Sequence, residues 1–249
     1  MDKTISQSRR NFVKLCASAV TAIANYPSLL ARADGGQRHY SSSRLLDMDG
    51  QPLSLSQLIV GETYVFHYPY AATPCFLINL GNPAKPGPIL TTEDGIRYQW
   101  GGGVGPNQSV VAFSAICAHK MTHPSRSVSF INYRHSDVNF VDTNEETRRR
   151  SQVIYCCSEK SVYDPARGAQ VLGGPAPQPL ASIVMEYDER QNSVNATGTY
   201  GGEMFDKFFD AFAERLQIEY ATSAIRAPVS DTTTVIPLSE YSDTSIQCG

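Results

Sequence analysis

Short apolar runs recur along most of this chain, and segments rich in Gly, Pro, Asn and Asp separate them. Within the runs, apolar positions are continuous or alternate with polar ones, and Val, Ile, Tyr and Phe are common, as in buried or half-buried strands. The predicted strands are residues 63–70, 75–80, 96–100, 109–116, 128–133, 152–156, 182–187 and 193–199. Short strands at this spacing predict an all-β protein built as a sandwich or a barrel.

One stretch near the C-terminus departs from the strand pattern. Its large apolar residues recur every three or four positions between residues 203 and 219, and they are Phe205, Phe208, Phe209, Phe212 and Leu216. This period predicts an amphipathic helix whose apolar face packs on the sheets. The tail, residues 221–249, is rich in Ser and Thr without a clear period, so we expect it either to be mobile or to lie along a partner subunit.

The first residues have the features of an export signal. The pair Arg9-Arg10 begins a twin-arginine pattern, a weakly apolar stretch follows to about residue 30, and Ala31-Arg32-Ala33 fits the rule for signal cleavage. We therefore predict that residues 1–33 are a twin-arginine signal peptide that directs the folded chain to the periplasm; the alternative is a retained short anchor. This route is commonly used when a cofactor is inserted before export, which favours a metal or redox cofactor in this chain or in its partner.

Composition and charge exclude several classes of function. The 249 residues include 21 Lys+Arg and 24 Asp+Glu, a net charge of −3, and no stripe of basic residues, so nucleic-acid binding is not expected. The chain has no apolar run of about 18 residues, the length that predicts a membrane-spanning helix. Residues 101–105 are rich in glycine, but a strand follows them rather than a helix, which favours a hairpin over a phosphate-binding loop.

Two short cysteine-containing segments follow predicted strands and carry the candidate chemistry. Cys117-Ala118-His119 places a thiol and an imidazole on one loop, and Cys156-Cys157 opens a second loop. Thiolates are the ligands of iron in iron–sulfur clusters, and an imidazole on one iron raises the reduction potential. Zinc bound by the same four residues is the lesser alternative, because adjacent cysteines are not the usual spacing of zinc ligands.

With their flanks, the two loops resemble the Rieske iron–sulfur domain over roughly residues 55–200. The resemblance includes Cys-x-His at Cys117, Ser-x-Tyr-Asp at residues 161–164, Gly168 and the proline loop at residues 173–177. Together with the twin-arginine start, it is similar more narrowly to the Rieske small subunit of arsenite oxidase. It implies antiparallel sheets with a small cluster-binding subdomain, whose loops are residues 115–125 and 155–180, and a 2Fe–2S cluster held by two cysteines and two histidines. The implied division is a signal peptide at 1–33, an N-terminal extension at 34–54, the Rieske-like domain at 55–200, a helix at 201–220 and the tail at 221–249.

The second histidine of the Rieske pattern is missing. If Cys156 is the second cysteine ligand, Glu159 stands at the histidine position; a shift by one residue makes Cys157 the ligand and places Lys160 there. The resemblance thus implies Cys117, His119 and Cys156 as ligands, with Cys157 or Glu159 as the fourth. Three interpretations remain open. They are an unusual ligand set, substitution by His123 or His135, and loss of the cluster with survival of the fold. The positions of the family's optional disulfide between the loops hold Thr122 and Ser158.

Other residues carry weaker signals. Cys75 lies in a strand and is expected to be a buried small apolar residue. Cys248, next to the C-terminus, is expected to be a free thiol or part of an intermolecular bridge. His67 is expected to be an ordinary strand histidine. Residues 148–150 are three arginines, which we expect to form a solvated loop; the functional hypothesis is a contact with an acidic partner.

The resemblance implies one-electron transfer as the small subunit of a periplasmic oxidoreductase. Its partners would be a larger, molybdenum-containing subunit and a cytochrome-like electron acceptor, and the chain itself would not bind the substrate. Membrane contact would require an uncleaved signal anchor. The alternative is a Rieske-like domain that has lost its cluster and stabilises a partner subunit.

Overall fold

The structure, a computed structural model, describes residues 36–249. The predicted signal peptide lies outside the described residues, so its role stays a prediction. The strands are β1 (Gln37–Leu46), β2 (Thr63–His67), β3 (Pro74–Asn79), β4 (Ile89–Thr91), β5 (Arg97–Gln99), β6 (Val110–Ser114), β7 (Val128–Ser129), β8 (Ile131–Arg134), β9 (Val138–Val141), β10 (Thr147–Arg150), β11 (Val153–Cys156), β12 (Ser161–Asp164), β13 (Gln170–Gly173), β14 (Ser182–Asp188), β15 (Ser193–Tyr200), β16 (Asp231–Thr234), β17 (Ile236–Pro237) and β18 (Thr244–Ser245). The helices are α1 (Met204–Glu219) and α2 (Leu238–Tyr241). The expected mostly β fold with one long C-terminal helix is confirmed.

The largest sheet curves until its two edges meet. Its order is β16-β1-β15-β14-β6-β3-β2-β17, and its pairs are antiparallel except for the parallel pair β1–β16. The edge strands β16 and β17 are consecutive in the chain and are separated only by Val235, whose amide donates to the carbonyl of Leu46 at 2.8 Å. The segment therefore crosses from one edge of the sheet to the other and closes it into a barrel-like shape.

Alternation along β3 shows how the large sheet divides its two faces. Cys75 and Leu77 are buried with the aliphatic side chains of one core, whereas Phe76 and Ile78 belong to a second core. Side chains of a strand point to opposite faces in turn, so β3 is covered on both sides. The second core also contains residues of the smaller sheet, and this shared core joins the two sheets.

The smaller sheet, with the order β13-β12-β11-β8, positions the second cysteine loop. Along β11, Val153 and Tyr155 pack with the β9–β10 hairpin, while Ile154 and Cys156 belong to the core shared with the large sheet. The same alternation that buries Ile154 therefore directs the Cys156 side chain to the junction between the sheets.

Helix α1 packs behind the first cysteine loop. Its Phe205, Phe208 and Phe209 are buried together with Ile116, the residue before Cys117. Ile218 on the other side of the helix is exposed. The predicted amphipathic helix is present, and its apolar face is core, as expected from its period.

The large sheet extends beyond the predicted domain at both ends. The segment predicted as an N-terminal extension contains β1, which lies between β16 and β15 inside the sheet. The tail was expected to be mobile or to lie along a partner; the structure instead places it on its own chain, as β16, β17, α2 and β18. The predicted strand at residues 128–133 is two strands, because Phe130 separates β7 from β8. β7 pairs with β18, and β8 pairs with β11.

The arginine cluster forms β10, an exposed strand, and not the expected solvated loop. Each of its arginines has an acidic partner in its own chain. The pairs are Arg148 with Asp142 at 2.7 Å, Arg149 with Asp137 at 3.2 Å and Arg150 with Asp164 at 2.7 Å. Because these internal pairs already engage the guanidinium groups, the structure does not favour the hypothesis of a contact with an acidic partner. Within residues 36–249, no helix has both the length and the apolar character needed to cross a membrane.

Candidate metal centre

The first loop is closed by two backbone hydrogen bonds that fix Cys117 at its base. The amide of Cys117 donates to the carbonyl of Thr122 at 2.8 Å, and the amide of Met121 donates to the carbonyl of Cys117 at 2.9 Å. Met121 has a φ of 61°, in the left-handed region that tight loops use. The loop thus returns on itself, and Cys117 is fully buried at the end of the extended segment that follows β6.

The second loop is the tight connection between β11 and β12. Cys156 and Ser161 pair across the two strands, and the amide of Lys160 donates to the carbonyl of Cys156 at 2.8 Å. Lys160 has a φ of 62°, which turns the chain back within four residues. Cys156 is fully buried, and Lys160 is exposed.

Side chains from both loops converge on one point. Among the described residues, Cys117, Cys156 and Glu159 form a group whose sulfur and carboxylate oxygen atoms all lie within 4.8 Å of one another. The Cys156 thiol donates to Glu159 Oε2 at 3.3 Å. Of the two registers that the sequence leaves open, the structure has the one that brings Cys156 and Glu159 to the site.

The Glu159 carboxylate connects the two loops. Thr122 Oγ1 on the first loop lies 3.0 and 3.1 Å from its two oxygens, and Ser158 Oγ donates at 2.7 Å. Burial opposes ionisation of Glu159, but hydrogen bonds from Ser158, Thr122 and the Cys156 thiol outweigh it, so the pKa of Glu159 lies below its ordinary value. The carboxylate is therefore an anion held beside two sulfurs.

The two thiols are not equivalent. The hydrogen bond from Cys156 stabilises a thiolate on Cys117 against the opposing effect of burial, and the pKa of Cys117 is lowered. The pKa of Cys156 is raised because its thiol proton is shared with the Cys117 sulfur as well as with Glu159 Oε2, and because it is buried. Both thiols must release their protons before they bind a metal.

Tyr163 is a member of the site whose role the sequence reasoning missed. Its hydroxyl accepts from the Ala118 amide at 3.1 Å and lies 3.3 Å from Cys117 Sγ, so its proton is directed to the sulfur. Burial and the neighbouring Cys117 sulfur raise the pKa of Tyr163 well above its ordinary value, so the hydroxyl remains a donor. The available signal was the Ser-x-Tyr-Asp segment, which the sequence analysis used only as a flanking match.

The histidines occupy three different environments. His119 Nδ1 is buried and has no hydrogen-bond partner among the described residues, although the imidazole lies outside the group of atoms within 4.8 Å. His123 is engaged elsewhere, because its Nδ1 lies 3.0 Å from the Met121 carbonyl and its Nε2 lies 3.6 Å from Glu219 Oε2. His135 is exposed and lies beside Gly61. Neither His123 nor His135 joins the site, so the structure does not favour substitution by either.

The prediction that Cys157 is a ligand is wrong for this structure. Its sulfur forms a disulfide with Cys248, with the two Cα atoms 5.7 Å apart. Cys248 is accordingly neither a free thiol nor an intermolecular bridge. The tail reaches this position because Asn132 Nδ2 donates to the Ile246 carbonyl at 2.9 Å and Arg134 donates to the Cys248 carbonyl at 2.6 Å. A zinc site built from all four predicted residues is excluded by the same bond.

The residues present fit an iron–sulfur centre with one unusual ligand. Two buried thiols face each other, and an imidazole nitrogen that lacks a partner among the described residues lies on the same loop as one of them. Burial of an unpaired polar atom costs about 1–3 kcal/mol, which a metal bond would offset. The remaining donor is the Glu159 carboxylate, an oxygen ligand where the sequence pattern expects nitrogen.

The chain is similar to a curated protein and to a solved structure. The chain is 27% identical over 196 residues to the iodate reductase subunit IdrB of Denitromonas iodatirespirans, which covers 78% of this chain and 82% of that protein. The crystal structure of the soluble domain of the Rieske protein II (soxF) from Sulfolobus acidocaldarius aligns with a TM-score of 0.45 and 23% identity, over 64% of this chain and 78% of that chain. No protein-family model matches the chain.

Proposed function

We propose that this chain, whose domain is Rieske-like, is the electron-transfer subunit of an oxidoreductase and holds a 2Fe–2S cluster between its two loops. The observation that carries the proposal is the convergence of Cys117 and Cys156, from separate loops, on one buried point. A 2Fe–2S cluster supplies reversible one-electron transfer when it is bound. Its protein ligands would be Cys117, Cys156 and His119, with Glu159 completing the set.

The surroundings of the two sulfurs are suited to this task. The Tyr163 hydroxyl points to Cys117 Sγ, and hydrogen bonds to ligand sulfurs raise the reduction potential of iron–sulfur centres. The anionic Glu159 has the opposite effect, because a negative charge favours the oxidised state. The chain therefore carries opposing controls on the potential within one site.

The partner that we propose is the catalytic subunit of an oxyanion oxidoreductase. The similar protein of D. iodatirespirans is named a subunit of iodate reductase, and the sequence pattern resembles the small subunit of arsenite oxidase. In this proposal a larger, molybdenum-containing subunit binds the substrate, and a cytochrome-like protein exchanges electrons with the complex. The chain described here contributes the electron relay and not the substrate site.

We place the protein in the periplasm. The twin-arginine pattern of the first residues supports export of a folded, cofactor-bearing chain. The disulfide between Cys157 and Cys248 supports it independently, since such bonds form and persist in oxidising compartments. Fractionation of cells that produce the full chain, with a twin-lysine variant of Arg9 and Arg10 as control, tests the location.

The decisive experiment measures cofactor content. The full chain, produced in a host with iron–sulfur assembly and purified anaerobically, should contain two iron atoms and two acid-labile sulfides, in keeping with the 2Fe–2S composition. Reduction with dithionite should give a rhombic electron paramagnetic resonance (EPR) signal. A folded, colourless chain without iron would instead support the alternative of a cluster-free subunit that stabilises its partner.

A further inference from the structure

Glu159 is placed more like a metal ligand than like a surface carboxylate. Its oxygens lie within 4.8 Å of both the Cys117 and Cys156 sulfurs, and the Cys156 thiol is hydrogen-bonded to it at 3.3 Å. It is partly buried, and among the described residues no Lys, Arg or His is paired with it at salt-bridge distance. A partly buried carboxylate that is directed at two thiols, with no paired cation among the described residues, is a ready acceptor for a metal ion.

The neighbours of Glu159 fix its orientation. Thr122 and Ser158 donate to its oxygens from opposite loops, so the carboxylate cannot turn to solvent without losing both contacts. Outer hydrogen bonds of this kind hold ligating carboxylates in position at metal sites. Both hydroxyls contact Oε1, whereas Thr122 and the Cys156 thiol contact Oε2. The Oε2 lone pair that accepts the thiol proton becomes available when a metal displaces that proton.

We infer that Glu159 is an oxygen ligand of the metal centre held by Cys117 and Cys156, an inference that rests on the proposed function for the identity of that centre. The metal replaces the proton that the Cys156 thiol now shares with Glu159, and the protons of both thiols are released to solvent. Two thiolates and one carboxylate carry three negative charges, one more than two thiolates with a neutral imidazole in place of the carboxylate. The centre is consequently more negative than one with two imidazoles and is harder to reduce.

The competing role for Glu159 is purely structural, as the bridge between the loops. Matched variants separate the two roles. Glu159→Gln keeps size and hydrogen-bonding oxygen but removes the anionic ligand, whereas Thr122→Val removes a bridging hydrogen bond and keeps the carboxylate. Lys160→Gln changes the neighbouring exposed residue, which the alternative register would have placed at the site.

The first measurement uses the iron-loaded full chain. We expect Glu159→Gln to lose at least half of its iron or to shift its EPR g-values and the Mössbauer quadrupole splitting of the ferrous site, while Lys160→Gln retains the parental values. Thr122→Val, which keeps the carboxylate, should change these values less than Glu159→Gln does. Glu159→His should keep its iron and be reduced at a higher potential. Glu159→Gln with parental iron content, g-values and splitting would overturn the inference and leave Glu159 as a bridge only.

The second measurement uses Co²⁺ with the cofactor-free full chain, kept anaerobic and without reductant so that the disulfide stays intact. Binding should give thiolate-to-cobalt absorption bands, and Glu159→Gln should weaken Co²⁺ binding at least tenfold, against less than threefold for Lys160→Gln. Equal affinities for the parent and Glu159→Gln overturn the inference.

These two measurements also separate this inference from the proposed function. A parent that binds Co²⁺ through Glu159 but never contains iron and sulfide refutes the cluster and supports the ligand. If the parent carries the cluster and Glu159→Gln leaves its spectra unchanged, the cluster is supported and the role of Glu159 as a ligand is refuted. A chain that takes up neither iron nor Co²⁺ overturns both. Thermal unfolding of each variant verifies that losses of metal are not losses of fold.

Discussion

The interior of the large sheet and its junction with the smaller sheet bury the same residue type in opposite chemical settings. In the large sheet, Cys75 is fully buried, and its thiol donates to the Tyr68 carbonyl at 3.0 Å. Burial raises the pKa of Cys75, so this thiol stays protonated. Where the large sheet meets the smaller one, Cys117 is equally buried, yet hydrogen bonds lower its pKa. Burial alone therefore does not make a cysteine a ligand; the polar groups aimed at the sulfur decide it.

The same contrast extends to how the two regions are stabilised. The interior of the large sheet consists mainly of aliphatic and aromatic side chains, with Leu45, Phe66 and Leu77 among the fully buried ones. Around the loops, buried polar groups depend on one another, on a disulfide and, in our proposal, on a metal. Substitution of a polar group outside the core should therefore cost little stability in the large sheet, whereas substitution of a polar group around the two loops should cost more.

The largest expected effect is the loss of the metal centre in Cys117→Ser. A hydroxyl is a poor ligand for iron beside sulfide, so iron content and visible absorption should fall to background. The matched variant Cys75→Ala removes an equally buried thiol from the large sheet and should retain full colour. Iron retained in Cys117→Ser, or lost equally in Cys75→Ala, would contradict the comparison.

The sequence carried the strand periodicity and the two loops because both are local signals. Alternation predicted β2, β3 and β6, and helical spacing predicted α1. The sequence could not show which strands pair with strands that lie far away along the chain. β1 joins the large sheet by pairing with β15 and β16, which lie far along the chain. β16 alone consists of one Asp and three Thr residues and has no apolar pattern.

The candidate site divides in the same way. The resemblance to the Rieske pattern implied Cys117, His119 and Cys156 as ligands, and the two registers for the fourth position were both named. The choice of Glu159 over Lys160 required the geometry of the β11–β12 turn. The pairing of Cys157 with Cys248 could not be derived, since cysteine connectivity is not encoded in spacing. Five cysteines follow residue 33, and this odd number shows only that at least one of them stays outside any internal disulfide.

Removal of the disulfide should sharpen the contrast between the regions. Cys248→Ser frees a link between residues 91 positions apart and should cost roughly 2–4 kcal/mol in the free energy of unfolding. The tail also loses its attachment beside the second loop, so backbone amides of β18 and β7 should exchange hydrogen faster, whereas those of β3 and β6 should not. Hydrogen exchange followed by mass spectrometry measures the exchange in both groups of strands. An equal change in β7 and β18 and in β3 and β6 would contradict the prediction.

Low pH should destabilise the large sheet through His67. Its Nε2 lies 3.2 Å from the Tyr241 hydroxyl, and burial lowers the pKa of His67 to about 4, with Arg126 lowering it further and Glu219 opposing. The unfolded chain binds this proton near pH 6.5, so the stabilisation is complete above that pH and is lost as pH falls towards 4. The loss should amount to about 2–3 kcal/mol.

Denaturant unfolding at pH 7, 5.5 and 4 measures this effect as a difference between the parent and His67→Gln. The variant should lose less stability than the parent over that range. His135→Gln removes an exposed histidine and serves as the control, with a slope that matches the parent. Parallel curves for the parent and His67→Gln would show that the acid sensitivity originates elsewhere.

The smallest effect concerns two neighbouring arginines of β10, which test whether burial of the acidic partner decides the value of an ion pair. Arg150 pairs with Asp164, whose side chain is 1% exposed, while Arg149 pairs with Asp137, whose side chain is 50% exposed. Arg150→Ala leaves a buried carboxylate with the Ala166 amide as its remaining side-chain partner among the described residues and should cost about 1–2 kcal/mol. Arg149→Ala should change the stability by less than about 0.5 kcal/mol, because water solvates both Arg149 and its partner Asp137. The difference in cost should persist in high salt, since screening weakens exposed ion pairs more than buried ones. Equal costs for the two variants would mean that Asp164 does not hold the β9–β10 hairpin against the smaller sheet.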